Sequence, residues 1–320
     1  MIERVPASGD VMRLAEILAR LRQENATADQ LDPHSTLEWL PTTAQLETAL
    51  HEAQFAAIVR TPRGAVQGYG LTRQWEEAGG VNIYLLDVWA APGPDRQRVE
   101  AELFDHLEAS IRALDQTVGA VVLGANSRSS EPSRRRLLVA RGYRLVFDMI
   151  ELEAPRTRPA RGSMPAGVTV RTVTRNDAAA IHGLTLRVWS GRPYFTMPTL
   201  HEVDEWLARA DPELFLLAEV GAHLVALASG NVSSRCAEID DVQVDPTWRR
   251  QGLATALLAE LMPRLEERTT LPIRLHTEGH DPAGARTLYA RLGFNVVAAH
   301  YRFRKPLDDQ VRQGRPRRGS

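Results

Sequence analysis

The chain has 320 residues, 43% hydrophobic and 25% charged, with a formal net charge of −1; it reads as a soluble globular protein with apolar material for two cores, and the charge excludes a general attraction to nucleic acid. Its single cysteine, Cys236, excludes an internal disulfide and a multi-cysteine metal site. No stretch approaches the ~20 apolar residues that span a bilayer and residues 1–10 carry no apolar run of signal-peptide length, so no membrane partner and a cytoplasmic location are expected.

In chain order, helical patterns at 9–24 and 42–53 precede strand patterns at 55–60, 65–72 and 81–89. A long helix follows, with Val99, Leu103, Leu107 and Ile111 on one stripe. A strand at 120–124, a helix ending within 137–143 and a strand at 144–152 close the first half. Residues 154–166, rich in Pro, Gly and Arg and without an apolar period, read as a linker.

The second half begins with a strand at 167–174, and Asn176-Asp177 can cap the helix after it. A second helix lies near 199–210, and strands follow at 214–220, 224–232 and 237–244. A helix from about 251 puts Leu253, Leu257, Leu261 and Leu265 on one face, and Pro263 predicts a kink in its last turn. A strand at 273–277, a helix at about 282–291 and a strand at 294–303 complete the half; residues 306–320 read as a disordered basic tail.

The two halves share one order of elements. Asp241-Val242 aligns with Asp87-Val88 and Leu257 with Leu103 at the same spacing, and Gly293-Phe294 aligns with Gly142-Tyr143 at a slightly shorter one. The expected fold is α/β, with an α+β mixed sheet: two tandem copies, 1–153 and 167–305, each a mostly antiparallel twisted sheet flanked by helices.

The turn between the strand at 237–244 and its helix reads "DPTWRRQGLAT". A helix start offers unpaired N–H groups and the positive end of a dipole. Gly252 lets an anion approach the backbone, Ala254 leaves the next turn uncrowded, and Arg249 and Arg250 add charge. This is a competent pyrophosphate cradle. It is not a Walker A loop, because no G-K-[ST] follows.

Together with "DPAGARTLYARLGF" at 281–294, this turn resembles the signature regions of the GNAT superfamily of acyl-CoA-dependent N-acetyltransferases. The [QR]-x-x-G-x-[GA] pattern is matched by Arg249, Gly252 and Ala254, and the later helix by Ala285, Leu288, Tyr289, Gly293 and Phe294. Pro282 stands where the family carries Asn, so that side chain's part falls to Asp281 or is missing. The layout is also that of two-domain acetyltransferases.

The resemblance implies acetyl-CoA as cofactor, an amine as the other partner, and no metal. It places pantetheine against the backbone of Val242 and Val244 in an opening between the fourth and fifth strands, and pyrophosphate on the N–H groups of Arg250, Gln251, Gly252, Leu253, Ala254 and Thr255. Arg249, Gln243 and Arg286 join the candidate cofactor residues. Tyr289 would stand beside the thioester sulfur as the acid. An attacking amine must lose its proton to a base; Glu238 holds the position where some relatives carry one, with Asp240 and His276 as alternatives. Glu238 could equally be a solvated strand-end charge, and Asp240 and Asp241 ion-pair partners. Simple alternation puts Asp240 on the face of Glu238 and Asp241 on the other.

In the first copy Arg249, Gly252 and Ala254 become Asp95, Arg98 and Glu100, and Tyr289 becomes Leu138. That copy is expected to be degenerate and non-catalytic, leaving a monomeric pseudo-dimer or a homodimer. Trp189, Tyr194, Phe195, Met197 and Trp206 either line an acceptor pocket or pack the helices, while Glu202, Asp204 and Glu205 would favour a cationic amine. A non-catalytic acyl-CoA-binding regulator or sensor is the alternative function.

Overall fold

The protein is described from a computed structural model over residues 2–4, 11–37, 40–77, 81–114, 120–155, 162–191, 197–280 and 284–307. Its elements are β1 (Ile2–Arg4), α1 (Val11–Ala28), α2 (Thr43–Glu52), β2 (Ala56–Arg60), β3 (Val66–Glu77), β4 (Val81–Ala90), α3 (Arg96–Arg112), β5 (Val121–Arg128), α4 (Pro132–Ala140) and β6 (Arg144–Glu153). The second half adds β7 (Thr169–Thr172), α5 (Ala178–Trp189), α6 (Leu200–Arg209), β8 (Phe215–Val220), β9 (His223–Val232), β10 (Ala237–Val244), α7 (Leu253–Arg268), β11 (Ile273–Glu278), α8 (Ala285–Arg291) and β12 (Asn295–Pro306). The short β1 had no sequence signal; it gives the first half the same leading strand as the second.

The halves of the sequence and the compact units of the fold are different partitions. One unit comprises residues 1–32, 38–148 and 298–320; the other comprises 33–37 and 149–297. Strand order in the first unit is β1-β2-β3-β4-β5-β12, and in the second β6-β11-β10-β9-β8-β7. Each is a mixed sheet with one parallel pair, β4 with β5 and β10 with β11. The last strand of each half therefore closes the sheet built mainly from the other half: β6 pairs with β11 and β12 with β5.

In the first unit, the stripe Val99, Leu103, Leu107 and Ile111 is buried on the sheet, and α1 and α2 cover a second core around Tyr69 and Leu71. In the second, Ile181 and Leu184 of α5 and Val203 and Leu207 of α6 pack on Phe215, Leu217 and Leu227. The leucine face of α7 is buried as the periodicity predicts. Pro263 sits within α7, and the helix runs on to Arg268. The 3-10 turn before α5 is capped by Thr174 and fastened by Asp177, which accepts hydrogen bonds from the Thr174 N–H and hydroxyl and pairs with Arg171. Asp177 is also the N-cap residue of α5, though its side chain makes no capping bond there.

Candidate active site

The parallel pairing of β10 and β11 runs from Ala237/Ile273 to Ile239/Leu275 and stops there among the described residues. Beyond it, β10 stays paired to β9 as far as Val244, and β11 to β6 as far as Glu278. Two strands held on their outer sides and released on their inner sides open a V with backbone groups facing into it. Val242, Gln243 and Val244 all lie on this released stretch. Gln243 turns its side chain away to the Thr185 hydroxyl, leaving only its backbone for a ligand.

The V leads to the start of α7. Gly252 is the N-cap residue, at φ +89°, and no side chain caps the helix. This contrasts with α2 and α6, both closed by capping boxes, and leaves the first-turn N–H groups of α7 available. Arg250 is also left-handed, at φ +66°, an uncommon state for a non-glycine residue. Two left-handed residues so close together turn successive N–H groups towards one side, the arrangement of an anion nest. A Cβ at Gly252 would meet nothing within 4 Å, so open space lies beside the backbone. The loop fits a phosphate group.

The flanking candidates differ in what they offer. Arg249 donates to the Val244 carbonyl at 3.2 Å, while Arg250 and Gln251 are exposed. Leu253 is buried in the core, so it offers only backbone; Ala254 and Thr255 are half-buried on the first turn. Arg286 on α8 is exposed and donates to the Gly279 carbonyl.

At the closed end of the V, where β10 and β11 are still paired, lies a cluster that the sequence did not disclose as a cluster. Glu238 Oε1 lies 3.2 Å from His276 Nδ1. The ring's Nε2 is 2.9 Å from the Thr36 hydroxyl and 3.5 Å from Glu151 Oε1. Glu151, fully buried, accepts from the Ser35 hydroxyl at 2.6 Å and the Thr36 N–H at 3.0 Å. Arg274 lies 3.5 Å from Glu151 and pairs with Glu153 at 2.7 Å. Burial by itself would raise the Glu151 pKa, but hydrogen bonds from His276, Ser35 and the Thr36 backbone, with Arg274 nearby, lower it instead. Ser35, Thr36 and Glu151 are contributions from the first half of the sequence that spacing could not assign to this site.

The reading of Asp241 requires a correction. A β-bulge between Ile239 and Asp241 makes Asp240 the extra residue: Ile239 pairs with Gly230 and Asp241 with Ser229. The bulge resets the alternation: Asp240 stays beside Glu238, as expected, accepting from Asn231, the residue opposite Glu238, and Asp241 is brought to that face as well. Loss of surrounding water, with Glu238 and Asp241 nearby, pushes Asp240 up to about 7, against a hydrogen bond from Asn231 that lowers it. Its side chain still presents surface to solvent. Burial raises Asp241 to about 6, opposed by Gln243.

Tyr289 is buried on α8, its ring 5.6 Å from that of Phe294, and α8 packs beside β11. Asp281 and Pro282 lie outside the described residues.

Residues 181–294 match the Acetyltransferase (GNAT) family. The second unit carries a GNAT acetyltransferase domain. Mycothiol acetyltransferase of Clavibacter sepedonicus is 30% identical over 56% of this chain and 61% of its own length, so that alignment spans less than two thirds of the relative. Mycothiol acetyltransferase of Salinispora arenicola is 27% identical over 94% of each chain. Among solved structures, a GCN5-related N-acetyltransferase from Sphaerobacter thermophilus aligns at TM-score 0.71 and 22% identity, covering 96% of this chain and 95% of that one. A tandem GNAT protein from the clavulanic acid biosynthesis pathway aligns at TM-score 0.63 and 17% identity, covering 96% and 98%. Both likenesses are of fold.

Within the GNAT domain, the helices expected to frame an acceptor are partly committed to packing. Trp206 stacks on Phe215 with ring centroids 5.0 Å apart, and Glu202 closes the Thr199 capping box of α6. Trp189 and Met197 are half-buried, Asp204 and Glu205 are exposed, and Tyr194 and Phe195 lie outside the described residues.

The first unit repeats the V. β4 and β5 pair in parallel from Asn82/Val121 to Leu85/Gly124 and then part. At its helix start the buried Glu100 is held by Arg134 at 3.3 Å and Arg96 at 3.4 Å, while Arg96 also pairs with Asp29 and Glu131. Arg98, at the Gly252 position, pairs with Asp95 and Glu102 on the surface. A buried carboxylate paired to arginines stands at the position of the small Ala254, although no side chain caps α3 either.

Proposed function

We propose that this chain is an acetyl-CoA-dependent N-acetyltransferase whose second unit transfers acetyl to a primary amine of a small molecule or peptide by direct attack on the thioester. The observation that carries this reading is the V between β10 and β11, opening from Glu238 at its apex to the uncapped start of α7. Bound acetyl-CoA supplies the acetyl group as an activated thioester. The N–H groups of Arg250–Thr255 bind the pyrophosphate, and Arg249 and Arg250 add charge to it. The released backbone of Val242 and Val244 binds the pantetheine arm as a further strand. Glu238 takes the proton from the acceptor ammonium, and Asp240 beside it keeps this end of the V attractive to cations. Tyr289 holds a phenolic proton for the departing thiolate.

The first unit, with buried Glu100 at the corresponding turn, supports the fold without turnover. A cytoplasmic location and a monomeric pseudo-dimer or homodimer belong to the same reading. The curated relatives' name puts mycothiol-related amines first among acceptors to try.

The test is incubation with acetyl-CoA and a panel of amines, following release of free thiol, with calorimetry of coenzyme A in parallel. Turnover on at least one amine, abolished by Glu238→Gln, supports the proposal. Tight binding without turnover on any amine replaces it with an acyl-CoA sensor, and absence of binding removes both readings.

A further inference from the structure

Behind Glu238 lies a chain of groups with no task in the reaction as described. It begins at His276, whose two ring nitrogens face different carboxylates: Nδ1 faces Glu238 at 3.2 Å and Nε2 faces Glu151 at 3.5 Å. The Thr36 hydroxyl sits between the two ends, 2.9 Å from Nε2 and 3.3 Å from Glu238 Oε1.

Hydrogen counting allows two arrangements: Thr36 donating to Nε2 with Nδ1–H donating to Glu238, or Thr36 donating to Glu238 with the proton on Nε2. The Glu151 carboxylate 3.5 Å from Nε2 favours the second. The Thr36 hydroxyl has one proton and can donate to Glu238 or to Nε2, but not to both. When it donates to Glu238, Nε2 must carry a proton to fill its place, and Nδ1 is left with a lone pair aimed at Glu238. That tautomer accepts a proton from Glu238. When Nδ1 gains it, the imidazolium lies between two carboxylates, and every donor has an acceptor.

We propose that His276 is a proton relay behind Glu238, with Glu151 and Thr36 as positioning residues that fix its tautomer and stabilise its charged form. The inference rests on the reading of Glu238 as the base. In the step, an N–H bond of the acceptor ammonium breaks as a Glu238 O–H bond forms. That O–H bond then breaks as the Nδ1–H bond forms, leaving a neutral amine, a restored Glu238 carboxylate and an imidazolium. Solvent takes the proton later from this half-exposed ring.

The surroundings favour the arrangement. Glu151 is fully buried and fixed by Ser35 and the Thr36 backbone, so its charge acts at close range in a poorly solvated place. Facing the ring are Glu238 and Asp240 from β10, Glu151 from β6 and Arg274 from its own strand, with the Cys236 thiol nearby. Arg274 is shared between Glu151 and Glu153, which leaves the cluster with surplus negative charge for an imidazolium. This is the division of labour in which a base is backed by a second, oriented group.

The experiment is the pH profile of kcat/KM for the full chain and its variants, paired with 15N spectra of the histidine rings in the absence of substrate. Glu151→Gln removes a charge that favours the imidazolium, so the acidic limb should move down by about one pH unit and the plateau should fall about tenfold, with KM for acetyl-CoA unchanged. Thr36→Val should blur the Nε2–H tautomer and lower kcat, and Thr36→Ser should restore both. Because Thr36 is only half-buried, this pair carries the test if Glu151→Gln does not fold. An unmoved limb in Glu151→Gln, or an unchanged ring tautomer in Thr36→Val, overturns the relay. If Glu238→Gln keeps full turnover, the base assignment has failed on its own; if Glu238→Gln is inactive while the limb and tautomer stay fixed, only the relay has failed.

Discussion

Asp241 shows how one residue's environment becomes a property of the whole domain. Its carboxyl is raised to about 6, chiefly by burial. An acid raised by folding holds its proton more tightly in the folded chain. Stability is therefore full below about pH 4 and declines as pH rises towards 6. Asp241→Asn should be near neutral at pH 4 and stabilising at pH 8, by on the order of 1 kcal/mol. Thermal melts at the two pH values check the sign; equal effects at both would contradict it. Tyr289 is the residue-scale test of the acid. Tyr289→Phe keeps the ring packed on Phe294 and removes the hydroxyl, so kcat should fall about 10²-fold while calorimetry finds coenzyme A affinity unchanged. The acid and base candidates were legible as residue types at fitting positions. Which face Asp241 takes was not, because a bulge of one residue shifts every side chain after it.

Among the elements, α7 carries the binding argument. Its leucine face sets its burial, and its uncapped start sets its chemistry. Gly252→Glu combines a left-handed φ of +89°, which costs a side chain about 1–2 kcal/mol, with a negative charge in the nest. Coenzyme A binding should disappear, whereas Gly252→Ala should lose only the conformational part; calorimetry on the two variants separates strain from charge. A second position on the same turn comes from the linker. Gly162 lies so close to α7 that a Cβ there would stand 3.0 Å from the Ala256 nitrogen and 3.1 Å from Thr255 Cγ2. Gly162→Leu should therefore displace the first turn and weaken coenzyme A binding about tenfold, measured by the same titration. Residues 156–161 and the tail from 308 lie outside the described residues. The linker's composition gave no sign of this approach, because contact between a loop and a distant helix leaves no periodic trace.

Across the whole molecule, the consequential feature is the exchange of closing strands. β6 is made by the first half of the sequence and pairs with β11 from Arg274/Glu153 to Glu278/Met149. Residues 33–37 join the same unit, bringing Ser35 and Thr36 to Glu151. A fragment from residue 154 onwards lacks all of these. It would expose the backbone of β11 as an open edge and strip the nearly buried Arg274 of its carboxylates, a cost of several kcal/mol. Such a fragment should fail to give a cooperative melt where the full chain gives one, followed by circular dichroism; a folded, active fragment would refute the assignment of the closing strand.

The sequence by itself determined the kinds of element and their repeated order, the leucine face of α7, the loss of glycine and tyrosine from the first copy, and the amide-bearing turn at Arg249–Thr255. These are local matters: periodicity, turn chemistry and side-chain type act over a few residues. Tertiary structure alone decided which sheet each closing strand enters, where the bulge falls, and that Thr36, Glu151, Glu238 and His276 meet. The first and last depend on pairing between segments more than a hundred residues apart, the bulge on the register of the neighbouring strands β9 and β10. Strand partners are chosen by backbone hydrogen bonds that every residue can make.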